Sequence, residues 1–289
     1  MNISSEEFKA RRKITKRNVE RLKKQPIRKR SVVWLYPRTI EHQYRRELMR
    51  VINEWLKDVD GLLEIYLPAI FTELEKTVVK TDSSIDFFEP LFNRINSRLS
   101  SHTENFIVIA KNTAKKTNAW NKKQFLKVTH SITGLKILSS DLWVDNVVNS
   151  FVNRNVNLIK NLASELTGKI NHLVHNGVVL GKSIRTIKKE IVNTGIEGGA
   201  FRSVKKRAEL IARDQVGKLN GQMSMNRQKS IGVKKYIWRT ALDERVRSAH
   251  SAREGKTYSW KNPPADGHPG MPIQCRCYAE PDLTEVLSF

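Results

Sequence analysis

Cysteine is nearly absent from this chain of 289 residues, with Cys275 and Cys277 the only two. Thiols two residues apart make at best a strained disulfide, so a framework of bridges is excluded and the pair is expected to be free or metal-bound. Long apolar runs are missing as well. Nothing approaches the roughly 18 consecutive apolar residues of a membrane span. The basic N-terminus is not followed by the ~7–15 apolar residues of a secretory signal. These absences predict folding in a reducing cytoplasm and no membrane partner. Acids are scarce too: 29 Asp and Glu stand against 52 Lys and Arg, a formal net charge of +23. That balance predicts attraction to polyanions and says little about fold.

The positive charge is concentrated near the start. Residues 9–30 hold Lys9, Arg11, Arg12, Lys13, Lys16, Arg17, Arg21, Lys23, Lys24, Arg28, Lys29 and Arg30 against one acid, Glu20. Phe8, Val19 and Leu22 offer little to bury, so residues 1–36 read as a basic, flexible arm. Two readings stand side by side, a solvated tail and a segment that binds double-stranded DNA without regard to sequence.

From Pro37 the pattern turns helical. Ile40, Tyr44, Leu48, Val51, Ile52, Trp55 and Leu56 recur at helical spacing, with Pro37 where a first turn tolerates it. A second run through Leu62, Ile65, Ile70 and Leu74 follows, which Gly61 and Pro68 are expected to interrupt or kink. A polar turn spans 81–86, and a further helix runs over about 87–112. Residues 142–174 read as one long helix whose Asn-rich polar face makes packing, not propensity, its support. Gly177 and Gly181 bracket a stop, Ser183 caps a helix over 184–192, glycines break the chain at 195–199, and a helix covers about 202–228. After Gly232 the character changes. Residues 234–240 read as a strand, 243–253 as a helical turn, 262–272 as a Pro/Gly-rich loop, and the Cys-Arg-Cys-Tyr run as a closing strand. The fold class is therefore mainly α, with a helical body over 37–199 and a small α+β module over 200–289.

Some features tempt more than they carry. Gly177-Val-Val-Leu-Gly181-Lys182-Ser183 is one residue short of a phosphate-binding loop and lacks the preceding strand, so helix caps explain it better. His172 and His175 share a helix face but have no neighbouring acid or thiol, and read as a surface pair. His42, His102 and His130 are assigned nothing.

The C-terminal run is denser in chemistry. His250, His268, Cys275 and Cys277 supply two imidazoles and two thiols, the set that tetrahedral zinc prefers, with the thiols on one face of an extended segment. One reading is a structural zinc ion held by these four. Another is metal-free packing, with the cysteines as small hydrophobes and Asp243 ion-paired to Arg245, Arg247 or Arg276. A catalytic zinc would need an open position and a general base, for which Glu244 and Glu254 are candidates on paper. No catalytic residue is assigned.

At these residues a resemblance enters. Leu242-Asp243-Glu244-Arg245-Val246-Arg247-Ser248-Ala249-His250, then Gly255, Pro269-Gly270 and Cys275-Arg276-Cys277, resembles the head morphogenesis family typified by protein F of phage Mu. The upstream helix over 206–214 and the Trp-Asn-Lys-Lys-Gln-Phe element at 120–125 are similar in order. Asp214-Gln215 departs from the family's usual acid-Thr or Thr-Glu pair. The resemblance implies a minor head protein of a tailed bacteriophage. It would be made in the bacterial cytoplasm, carried in the virion inside or at the edge of the head, and engaged with the portal protein and with capsid or scaffolding proteins. An effect on DNA retention or exit belongs to the same expectation. It implies no enzymatic activity, and Phe289, about seven residues past the module, leads us to expect no fused toxin domain. The rivals are a zinc-dependent hydrolase or nuclease and a cellular basic nucleic-acid-binding protein.

Overall fold

Apolar residues three and four apart along 38–76 build one long helix, α1 (Arg38–Lys76), whose buried stripe runs from Ile40 and Tyr44 to Leu67 and Ile70. The computed structural model describes residues 34–76, 86–134, 137, 139–193, 195 and 197–287. The arm candidates from Lys9 to Arg30 therefore lie outside the described residues. The expected interruption at Gly61 and Pro68 does not occur, since both sit inside α1. Pro68 removes one backbone donor. The stripe is nevertheless buried on either side of it, at Leu63, Leu67 and Ile70, and that burial outweighs one lost hydrogen bond.

A single 3-10 turn (Asp86–Phe88) leads into α2 (Glu89–Ser101), with Pro90 in its first turn. Next come α3 (Thr103–Thr133), α4 (Val144–Val179), α5 (Ile184–Val192) and α6 (Ala200–Ser230). Gly177 lies within α4, and Gly181, at φ +63°, ends it. The Lys182 N–H reaches the Gly177 carbonyl at 2.8 Å, the closing bond of a glycine-terminated helix. Ser183 caps α5, its hydroxyl accepting from the Thr186 N–H at 3.3 Å.

The chain divides into two compact units that do not follow its order. One comprises residues 39–113 and 149–215. There Tyr44, Phe106 and Phe151 form an aromatic centre, with ring centroids 6.3 and 6.2 Å from Tyr44. Asn155 is fully buried beneath them and accepts from the Tyr44 hydroxyl at 2.8 Å. Burial also pushes the Tyr44 phenol far up from its ordinary value, so it acts only as a neutral donor. Gly177 of α4 lets α5 approach closely, because a β-carbon there would stand 2.4 Å from Ile187.

The other unit comprises residues 1–38, 114–148 and 216–289. Its described part holds an antiparallel three-stranded sheet of β1 (Lys235–Arg239), β2 (Thr257–Ser259) and β3 (Tyr278–Pro281), in the order β2-β1-β3. Tyr236 pairs with Tyr258 and Pro281, and Trp238 pairs with Ala279. The period-two alternation of β1 turns Tyr236 and Trp238 inward. They pack with Val233, Trp260, Cys275, Cys277, Ala279 and Leu283. Trp34, Phe125 and Val128 form a neighbouring apolar cluster. Short helices α7 (Ser248–Ser251) and α8 (Thr284–Leu287) complete the described elements. The expected helical turn over 243–253 is thus shorter than the pattern suggested. The cysteines also precede the strand, which begins at Tyr278. A mainly α protein with a small C-terminal sheet module is what the residues build.

Candidate functional site

The sheet face, the α7 turn and the loop before β3 converge on three side chains. His250 sits on α7, whose N-cap residue Arg247 is extended, and is almost wholly buried. Cys275 and Cys277 are buried too, and both sulfurs face the same imidazole. His250 Nδ1 lies 3.6 Å from Cys275 Sγ and 3.5 Å from Cys277 Sγ. The three candidate ligand atoms fall within 4.8 Å of one another.

The far side of the imidazole is fixed as well. His250 Nε2 lies 2.8 Å from Asp266 Oδ2, and Arg253 donates to Asp266 Oδ1 at 2.6 Å. Burial pushes the Asp266 carboxyl up, but the hydrogen bonds from His250 and Arg253 win and hold it below the usual carboxylate range. An ionised carboxylate only accepts, so Nε2 is the ring nitrogen that donates to it, and Nδ1 is the one that faces the two sulfurs. The Trp238 ring covers His250 edge-on at 5.3 Å and stacks under Arg253 at 4.9 Å. Sharing of a hydrogen bond with Cys277 draws the Cys275 thiol down from its ordinary value. Backbone N–H groups of Gly270 and Cys277 add to that effect.

His268 does not join this group. Its Nδ1 meets the Tyr236 hydroxyl at 2.9 Å, and its ring lies edge-on to Trp260 at 4.8 Å. Of the four expected ligands, the structure brings three together and leaves the fourth beside Tyr236 and Trp260.

The remaining motif residues clamp the loop that carries the cysteines. Asp243 pairs with Arg276 at 2.5 Å, and Arg247 donates to the Ile273 carbonyl at 2.7 Å. Arg245 extends into solvent beside Glu244. Gly255 takes φ +74° and returns its N–H to the Trp238 carbonyl at 2.9 Å, which closes the β1–β2 connection. Gly270, at φ +85°, rests on α6 where Gly221 stands, and a β-carbon on Gly221 would lie 2.9 Å from the Pro269 carbonyl. Gly217, one turn earlier, faces the Cys275 carbonyl. The glycine pair on α6 therefore seats the cysteine loop, and its spacing of four residues was the signal available in the sequence.

The candidate general bases are placed unfavourably for that role. Glu254 accepts from the Thr240 N–H at 2.6 Å and the Thr240 hydroxyl at 2.8 Å, and Arg239 donates to it at 3.3 Å. Burial raises its pKa, but these bonds prevail and lower it. Glu244 is exposed. His172 is exposed beside Asn176, whereas His175 is half-buried between Phe88 and Phe92, so the expected surface pair holds for one of the two. His102 meets Asp58 at 2.9 Å. The most polar interior was not anticipated at all. Arg227, with no exposed side-chain surface, donates to Asn121 at 3.0 Å, Ser139 at 3.0 Å and Asp141 at 2.7 Å, and also to Asn118.

Among the described residues no helix is long and apolar enough to cross a membrane. Residues 168–280 match the family described as phage Mu protein F like protein, a span that takes in α5, α6, the sheet and the three-ligand cluster. A Haemophilus influenzae protein named only as uncharacterized is 28% identical over 272 residues. That alignment covers 93% of this chain and 57% of the relative, so the chain spans little more than half the relative's length. No solved structure matches the chain.

Proposed function

We propose, from the match of residues 168–280 to the phage Mu protein F like family, that the chain is a minor head protein of a tailed bacteriophage. In this reading it acts in head assembly near the portal, is carried in the virion, touches portal and capsid or scaffolding proteins, and has no enzymatic role. The carrying observation is that the family match coincides with a closed structural module. Asp243, Arg247, Gly270 and Arg276 clamp one loop onto α6 and α7, and Glu254 is held by Thr240 and Arg239 instead of facing the cluster. Such an arrangement supports a rigid docking module better than a hydrolytic centre.

Packaged DNA gives the basic composition a role, because each Lys or Arg that meets a phosphate releases a condensed counterion. Residues 9–30 supply +11 of the net +23. The arm is assigned sequence-independent, salt-sensitive contact with double-stranded DNA, which would influence DNA retention or exit. Quantitative mass spectrometry of purified DNA-filled particles tests the assembly reading. A few copies per particle are expected. Absence from both mature particles and assembly intermediates would overturn it and favour a cellular DNA-binding protein. For the arm, deletion of residues 1–30 is expected to lower DNA affinity and flatten its salt dependence, and unchanged binding would refute the assignment.

A further inference from the structure

We propose that His250 Nδ1, Cys275 Sγ and Cys277 Sγ bind one zinc ion, with Asp266 orienting the imidazole and His268 taking no part in coordination. The first support is metric. Zinc bonds of about 2.3 Å to sulfur and about 2.0–2.1 Å to nitrogen at tetrahedral angles place sulfur and nitrogen ~3.6 Å apart. The observed separations are 3.6 and 3.5 Å. Both sulfurs are therefore already at ligand spacing from the imidazole.

The second support is the orientation of the imidazole. Asp266 accepts from Nε2–H, which turns Nδ1 toward the two sulfurs. One cation placed between them would meet the nitrogen and both sulfurs together. A carboxylate behind a ligating histidine is the usual partner that fixes ring and tautomer at zinc sites. Binding proceeds by loss of one proton from each thiol as two zinc–sulfur bonds form, while the neutral imidazole contributes its Nδ1 pair without releasing a proton.

The third support is backbone investment. Gln274 adopts a left-handed φ of 56°, immediately before Cys275, and the Cys275 N–H closes a turn onto the Pro272 carbonyl at 3.0 Å. Left-handed geometry is costly for a non-glycine residue and tends to sit at ligand clamps. Among the described residues no other His, Cys, Asp or Glu joins the three. The fourth tetrahedral position therefore falls to a non-protein ligand such as water. The ion would pin the loop before β3 to the α7 turn, reinforcing the Asp243–Arg276 and Arg247–Ile273 clasps from inside.

The test uses the full chain, stripped with a chelator under reducing conditions and titrated with Co²⁺, then with Zn²⁺. One equivalent of Co²⁺ should give thiolate-to-metal charge-transfer absorption that Zn²⁺ abolishes. His268→Ala should keep the full band at wild-type stoichiometry. Asp266→Asn should weaken affinity about 10- to 100-fold. Cys275→Ser and Cys277→Ser should lose the band. Far-UV circular dichroism checks that each variant is folded, and His268→Ala together with Asp266→Asn decides the matter if the serine variants unfold. A folded wild-type chain that gives no thiolate–cobalt band overturns the proposal. Loss of the band in folded His268→Ala overturns the three-ligand assignment.

Discussion

Replacing Arg227 by Met should destabilise the protein more than any exposed basic substitution, because it keeps an unbranched stem but removes the whole guanidinium. Arg227 draws together Asn118 and Asn121 of α3, Ser139 and Asp141 of the following connection, and the Trp143 ring at 5.0 Å. Asn121 in turn donates to Asn220 at 2.9 Å and Ser224 at 2.9 Å, so the guanidinium is the hub of a network between α3 and α6. Methionine would leave the Asn118 and Asn121 carbonyl oxygens without this donor. Stranding a buried polar atom costs about 1–3 kcal/mol, and breaking a fully buried ion pair from one side about 3–5 kcal/mol. Asp141 is 38% exposed, so water takes over much of its charge and the upper figure must be discounted. A loss of about 2–3 kcal/mol is expected, which corresponds to a fall in melting temperature of ~4–12 °C for a unit of this size. Thermal and urea melts of the full chain followed by circular dichroism measure it. Arg227→Lys should recover little, because a point charge cannot supply the guanidinium fork. A Met variant melting within about 1 °C of wild type would show that the network contributes nothing net to stability.

Gly221→Ala places a β-carbon against the Pro269 carbonyl, which is backbone and cannot swing away. It should cost about 1–3 kcal/mol in the same melts, and a neutral result would mean that the loop is not seated as described. Gly177→Ala meets only the Ile187 side chain, so pairing it with Ile187→Ala should recover part of its loss, and strictly additive losses would contradict the contact. His175 titrates below its ordinary value because it is buried against Phe88 and Phe92. The unfolded chain then binds the proton first, and stability should fall as pH drops below about 6.5, the ordinary histidine value. His175→Gln should flatten that slope in pH-dependent urea melts, and an unchanged slope would refute the assignment. Asp141, Glu254 and Asp266 are all depressed in the folded state, so a second loss is expected as pH falls below about 4.

Apolar spacing made the fold class legible, because burial follows period. Ile40, Tyr44, Leu48, Val51 and Trp55 were placed inside a helix by their separation alone, and all are buried on α1. Local breakers were less informative. Pro68 and Gly61 look like punctuation in a sequence, but their effect depends on tertiary burial along the same helix, which no window around them contains. Polar interiors stayed hidden for a related reason. Asn155 belongs to a stretch read as a polar face, and only its distant partners Tyr44 and Gln215 make its burial tolerable. Arg227 was invisible in the same way, since its acceptors lie 86 to 109 residues away.

The cluster around His250 shows where reading by residue type stops. Residue counting suggested four ligands because zinc prefers four and two histidines stood nearby. It could not see that the sheet has two uses for an imidazole. Tyr236 and Trp238 are two residues apart and pack on one face, yet each receives a different histidine. Trp238 lies against His250, whose other edge meets Asp266. Tyr236 and Trp260 take His268, whose pKa is lowered by burial and then by the nearby charge of Lys229. A histidine held neutral among aromatic rings and bonded to a phenol is a packing element. A histidine whose Nε2 is fixed on a carboxylate and whose Nδ1 faces two sulfurs is arranged as a ligand. Asp266, which the sequence reading did not single out, is what separates the two. Asp266→Asn is therefore the variant that should lower metal affinity, while removing the larger and closer-looking candidate at 268 should not.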